Sequence, residues 1–183
     1  MINEQQITQL LNRQDKQAIS ILYDRYAASL YGVALKIVHS EEVAEDILQD
    51  VFIKAWQKGV DYDSRKGSVF TWLLNITRNR AIDITRSSSF RKQAKILELN
   101  SFAHESNNGN GYTEELNVNQ IGLRWMVNQL DLKYQKVIEL VYFQGFTQSE
   151  VVEQLGIPLG TVKTRLKIGL REMRKFFEDT GTI

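Results

Sequence analysis

Between Gly156 and Lys175 the chain reads GIPLGTVKTRLKIGLREMRK. Lys163, Thr164, Lys167, Arg171 and Arg174 recur along it, and from Pro158 to Phe177 the single acid is Glu172. Cations and hydroxyls gathered on one helical face can hold phosphate oxygens and reach base edges, because an α-helix fits the major groove of DNA. Val162, Leu166, Leu170, Met173 and Phe177 alternate with them at spacings of three and four, which makes an apolar stripe to bury. Just upstream, Thr147 and Glu150 match a capping box that starts a short helix carrying Val151, Val152 and Leu155. Gly156 suits the left-handed residue that ends it, and Pro158 can open the next helix because its missing N–H costs nothing there. Short helix, glycine turn, longer basic helix predicts a helix-turn-helix. KYQKVIELVYFQ supplies Val137, Ile138, Val141 and Tyr142 to pack beneath it. The plain alternative is a helical hairpin with a solvated basic face. The capping box, the turn and the one-sided charge together weigh against it.

Two further segments could make contacts. In SEEVAEDILQDVFIKAWQKG, Ser40 is placed to cap a helix whose first turn is acidic, as the helix dipole prefers. Ala44, Ile47, Leu48, Val51, Phe52, Ala55 and Trp56 form its apolar stripe. Asp46, Gln49, Asp50 and Ile53 point away from the centre of that stripe. An acidic ridge bearing an isoleucine suits a protein partner better than DNA, or else it is plain acidic surface. DYDSRKGSVFTWLLNITRNRAIDITR then runs from a loop into a helix from about Val69, followed by SSSFRKQAK. Arg78, Arg80, Arg86, Arg91, Lys92 and Lys95 make its later part basic, with only Asp83 opposed. Rings followed by cations can hold single-stranded nucleic acid by stacking and phosphate contact. Trp72 and Leu73 read better as core, whereas Arg78, Asn79 and Arg80 read better as contact residues.

The positioning elements are helical throughout. One proline in 183 residues, and long runs rich in Leu, Ile, Lys, Glu, Gln and Arg, predict an all-α chain. Residues 96–120 break the pattern: they hold Glu98, Glu105, Glu114 and Glu115, no Lys or Arg, and an SNNGNG core. The expectation is two small helical domains, residues 1–95 and 121–183, joined by a flexible acidic linker over 96–120. Such a coil spans roughly 25–30 Å on average. Fully extended it reaches about 80–90 Å, so it either simply connects the domains or lets them work at sites more than one turn of DNA apart, roughly 34 Å. With 23 basic and 22 acidic residues the net charge is +1, so any DNA binding must come from local patches. Cysteine is absent and only His39 and His104 occur, which argues against disulfides, thiol chemistry and a His-based metal or catalytic site. No metal and no cofactor is expected. Without a membrane-length apolar run or a signal-like amino terminus, a cytoplasmic chain with no membrane insertion is expected.

Taken together, LQDVFIKAW, KGSVFTWLLNITRNRAID and FTQSEVVEQLGIPLGTVKTRLKIGLREMR, in that order, resemble the extracytoplasmic-function sigma factors of bacterial RNA polymerase. The resemblance runs from about Ala18 to Phe177. It implies a non-enzymatic subunit that binds core RNA polymerase and directs transcription initiation at specific promoters. Asp46, Gln49, Asp50 and Ile53 would then contact polymerase. The segment from Arg65 to Arg86 would read and melt the minus-ten element, with Ser64, Lys66, Arg78, Asn79 and Arg80 as contacts and Asn79 lining a pocket for a flipped base. The helix-turn-helix would read the minus-thirty-five element as duplex, with Lys163, Thr164 and Lys167 at base edges and Arg165 and Arg171 on phosphates. The linker would thread towards the polymerase cleft. Partners would be core RNA polymerase, promoter DNA and, plausibly for the family, an anti-sigma factor. Ile168 and Gly169 depart from the basic residue and alanine that many members carry there. A stand-alone helix-turn-helix regulator with a sensory domain and a DNA-processing enzyme such as a recombinase are the competing readings. The motifs from Leu48 to Asp83 argue against the first, and the lack of a marked active-site spacing argues against the second.

Overall fold

The computed structural model describes residues 2–87 and 124–179, and all regular structure among them is helical. The expected linker at 96–120, and Arg91, Lys92 and Lys95, lie outside the described residues. Helices α1 (Glu4–Asn12), α2 (Lys16–Val38), α3 (Glu41–Lys58) and α4 (Val69–Arg86) form the first group. Each begins on a side chain that accepts a free backbone N–H: Asn3, Asp15, Ser40 and Ser68 in turn. Such a cap contributes about 1 kcal/mol to its helix. His39 ends α2 in the left-handed region, at φ 55°, and turns the chain straight into the Ser40 cap.

α2 is the central post. It buries Ala18, Leu22, Leu30, Val33, Ala34 and Val38. Both α3 and α4 pack along it. α3 contributes Ala44, Ile47, Val51 and Ala55, and α4 contributes Val69, Phe70, Leu73 and Leu74. Tyr26 packs against Phe70 at 5.5 Å within the core, and the exposed Tyr23 covers Phe52 at 5.1 Å. Leu73 is fully buried, as the sequence predicts, and Trp72 is partly buried with its ring 5.0 Å from Tyr62.

The second group opens with helical residues 124–128. Helix α5 (Leu132–Ile138) follows and continues as a π turn over Glu139–Phe143. α6 (Gln148–Leu155) and α7 (Leu159–Asp179) complete it. Thr147 and Glu150 close the capping box, and Gly156 adopts φ 62° after α6. Pro158 sits one position earlier than the sequence predicts. It lies before α7, and its carbonyl accepts from the N–H groups of Thr161 and Val162. Val162, Leu166, Leu170 and Met173 turn inward onto Val137, Ile138, Val141, Tyr142 and Val151. The side chain of Phe177, the last residue of the expected stripe, lies outside those described. Among the described residues no helix is long and apolar enough to cross a membrane.

Two contacts show how closely these parts are fitted. Gly145, at φ 74°, lies where a Cβ would meet Ile82 at 3.5 Å and Ile37 at 3.8 Å, so the end of the π turn rests on the first group. Gly169 lets α7 approach α5: a Cβ there would stand 3.1 Å from Ile138 Cγ1 and 3.4 Å from Tyr134 Cβ. Gly169→Leu must therefore push α5 away from α7. We expect a loss of about 1–3 kcal/mol, the usual cost of overpacking, read as a lower urea midpoint. An unchanged midpoint would contradict this packing.

Candidate nucleic-acid interface

α7 divides as its sequence requires. Lys163, Thr164, Lys167 and Arg171 are exposed and Arg165 is half-buried, opposite the inward stripe. Arg171 shares Glu172 with Lys175, at 3.3 and 2.6 Å. Lys163 and Lys167 enter no ion pair among the described residues. Their charges are available to an outside anion. Arg174 is engaged instead with Glu4, at 2.5 Å across the two groups.

The loop before α4 is held by its own side chains. Arg65 forms a two-point ion pair with Asp63, through Nε at 2.9 Å and Nη2 at 2.9 Å. Those bonds hold the Asp63 carboxyl down at about 2. The Tyr62 hydroxyl donates to the Gly67 carbonyl at 2.8 Å, and burial pushes its phenol well above the ordinary value. Ser64 and Lys66 remain exposed on the outer side of this loop. Ser68 then caps α4, and Glu4 accepts from the Val69 N–H at 2.8 Å.

α4 places its three candidate residues in different surroundings. Asn79 is exposed. Arg80 is half-exposed and pairs with Asp50 of α3 at 2.7 Å, so the expected minus-ten and polymerase contacts meet in one ion pair. Asp46, Gln49 and Ile53 stand exposed on the same α3 ridge, Ile53 at 54%. Arg78 turns towards the second group. Its Nε donates to the Val141 carbonyl at 2.8 Å, its Nη2 to the Phe146 carbonyl at 2.5 Å, and its Nη1 to Asn79 Oδ1 at 3.2 Å. These carbonyls sit at and just past the end of the π turn, where a helix runs out of internal donors. Arg78 thus acts as a cap reached from another helix, and a phosphate contact by the same fork requires that cap to open.

Asn75, one turn before Asn79, accepts from the Tyr142 hydroxyl at 2.8 Å. No period in the sequence marks Asn75, Glu4 or Tyr62 for such contacts, because each partner lies in a different local pattern. Tyr134 and Lys133, at the start of α5, line an open cleft beside Thr161, Thr164 and Ile168. The Asp131 cap is the one sequence signal that places them in a first helical turn.

Residues 22–95 match Sigma-70 region 2, and residues 123–173 match Sigma-70, region 4. The chain belongs to the sigma-70 family. Within it, curated relatives place the chain among the extracytoplasmic-function sigma factors. It is 26% identical to the sigma factor SigK of Mycolicibacterium vanbaalenii over 89% of this chain and 83% of that one. It is 28% identical to SigL of Mycobacterium tuberculosis over 87% of this chain and 89% of the relative. A solved structure of CnrH in complex with the cytosolic domain of CnrY shares 20% identity at a TM-score of 0.46, covering 97% of this chain and 98% of that one. As a sigma factor the chain is not a stand-alone regulator with a sensory domain, since the region in question matches region 2.

The Tyr142 bond gives this sigma factor a measurable alkaline signature. Burial pushes the Tyr142 phenol from 10.0 up to about 12. The folded chain therefore holds that proton more tightly than the unfolded chain does. The resulting stability is complete below about pH 10 and is lost as the pH rises towards about 12. Urea midpoints of the parent should fall more steeply over that interval than those of Tyr142→Phe. Parallel slopes would contradict the buried phenol.

Proposed function

We propose that the sigma function is divided along this chain as follows. Residues 1–95 dock on core RNA polymerase and open the minus-ten element, 96–120 connect, and 121–183 read the minus-thirty-five element as duplex. The observation that most supports this division is the α7 face, where Lys163 and Lys167 stand exposed, without an ion-pair partner among the described residues, on a helix whose other side is buried. Lys163, Thr164 and Lys167 face base edges, while Arg165 and Arg171 take phosphates. Ser64, Lys66, Arg78, Asn79 and Arg80 serve the minus-ten strand, with Arg78 released from its helix cap. Asp46, Gln49, Asp50 and Ile53 form the polymerase contact.

The physics of opening follows from that placement. Flipping a base out of the stack costs a few kcal/mol. The loop carrying Ser64 and Lys66 and the exposed Asn79 offset this through hydrogen bonds to the extruded base and contacts to its phosphate. The chain carries out no covalent chemistry, because bond formation belongs to polymerase. A near-neutral total charge keeps duplex binding by the free subunit weak, so promoter choice emerges in the assembled holoenzyme. Work on polymerase places the chain in the cytoplasm, where an anti-sigma partner would compete for the same surfaces.

In transcription reconstituted with sigma-free core polymerase, Lys167→Ala should relax upstream-element selectivity by about 1–3 kcal/mol, the worth of one good base contact. Unchanged selectivity in Lys163→Ala and Lys167→Ala alike rejects the assignment of α7. Asp50→Lys should reduce holoenzyme assembly while leaving the helical circular-dichroism signal intact. Normal assembly by that variant removes the α3 ridge from the polymerase contact.

A further inference from the structure

In its first half, the outward pole of α7 is less polar than the charge of the helix suggests. At 100° per residue the direction opposite Val162, Leu166, Leu170 and Met173 runs through Thr161, Thr164 and Ile168 in the first half of α7 and through Arg171 and Lys175 in the second. Lys163 and Lys167 lie to one flank, and Arg165 lies to the other. Ile168 is only partly covered, and with Thr161, Thr164 and Tyr134 it lines an open cleft of about 310 Å³. The Thr164 hydroxyl donates its one proton to the Gly160 carbonyl at 2.8 Å, so that group has no donor left for a base. What Thr164 adds to the pole is a methyl group and a hydroxyl oxygen that can only accept. Above Gly160 nothing lies within 4 Å of where a Cβ would be, so the first turn of α7 leaves room for close approach.

A strip of methyl groups between two cationic flanks has a specific complement in duplex DNA. Arg165 on one flank fits a phosphate, and Lys163 and Lys167 on the other reach neighbouring base edges. In the major groove, the base feature that apolar side chains contact is the C5-methyl group of thymine. We propose that Ile168, with the Thr164 methyl beside it, reads thymine methyl groups in the upstream promoter element. The proposal rests on α7 entering the major groove, as described under the function above. It gives Ile168 a specificity role where a basic residue would instead seek a guanine or a phosphate.

The test uses the reconstituted holoenzyme and a duplex library with a randomised upstream element. Enriched duplexes are resynthesised with deoxyuridine in place of each thymidine, which removes only the methyl group. The parent should enrich thymine at one or more positions and lose about fourfold in promoter binding per contacted methyl, corresponding to about 0.8 kcal/mol. Cytosine at such a position should bind better when converted to 5-methylcytosine. Ile168→Ala should lose both responses, and Ile168→Val should keep most of them. If Ile168→Ala keeps the full deoxyuridine penalty, the effect comes from duplex stiffness and the proposal falls. Enrichment of an upstream sequence indifferent to deoxyuridine also overturns it, while leaving α7 as the reader. If the parent enriches no upstream sequence yet still initiates from the downstream element, the α7 assignment fails and this inference fails with it.

Discussion

One guanidinium holds the two helical groups in register. A helix that stops leaves carbonyls without donors, and burying them unsatisfied costs more than a hydrogen bond returns. The π turn after α5 ends in such a place, and Arg78 of α4 supplies the missing donors to Val141 and Phe146. Around that contact the other fittings follow. Tyr142 reaches Asn75 one helical turn away, Gly145 closes on Ile82, and Glu4 meets Arg174 at the far end of α7. The buried residues of both groups belong to one continuous hydrophobic cluster. The directed polar contacts fix the register in which that apolar seam closes.

α3 and α4 are tied in a comparable way. Asp50 and Arg80 are each about two-fifths exposed, so water screens their attraction and the pair adds little stability. Its importance is positional. It orients a carboxylate on the ridge proposed for polymerase against a cation proposed for the melted strand. A group that draws Asp50 away leaves Arg80 free to seek another anion.

The helices and their buried faces were legible because they follow local rules. The Thr147 and Glu150 cap, the left-handed Gly156 and the stripe from Val162 to Met173 are all written within a few residues of one another. The exposure of Asp46, Gln49, Ile53, Asn79, Lys163 and Lys167 followed from the same periods. Other features were not legible. Arg78 reads as one more cation in a basic helix, and its acceptors lie more than sixty residues away. The π turn has no composition of its own. The surroundings of Ile168 depend on Tyr134 beside it and on the bond from Thr164 to the Gly160 carbonyl, and no local pattern carries the first of these. Local pattern states which side of a helix faces out; it does not state what stands opposite.

Glu4 has a consequence for the order in which the chain can mature. Its carboxylate completes the start of α4, 65 residues away, by accepting from the Val69 N–H. During synthesis Glu4 precedes Val69 by 65 residues, so its acceptor role stays vacant until α4 has left the ribosome. The Arg174 bond waits for α7. One early side chain is therefore a late-closing clasp: α4 acquires its finished amino-terminal turn only after distant segments have met.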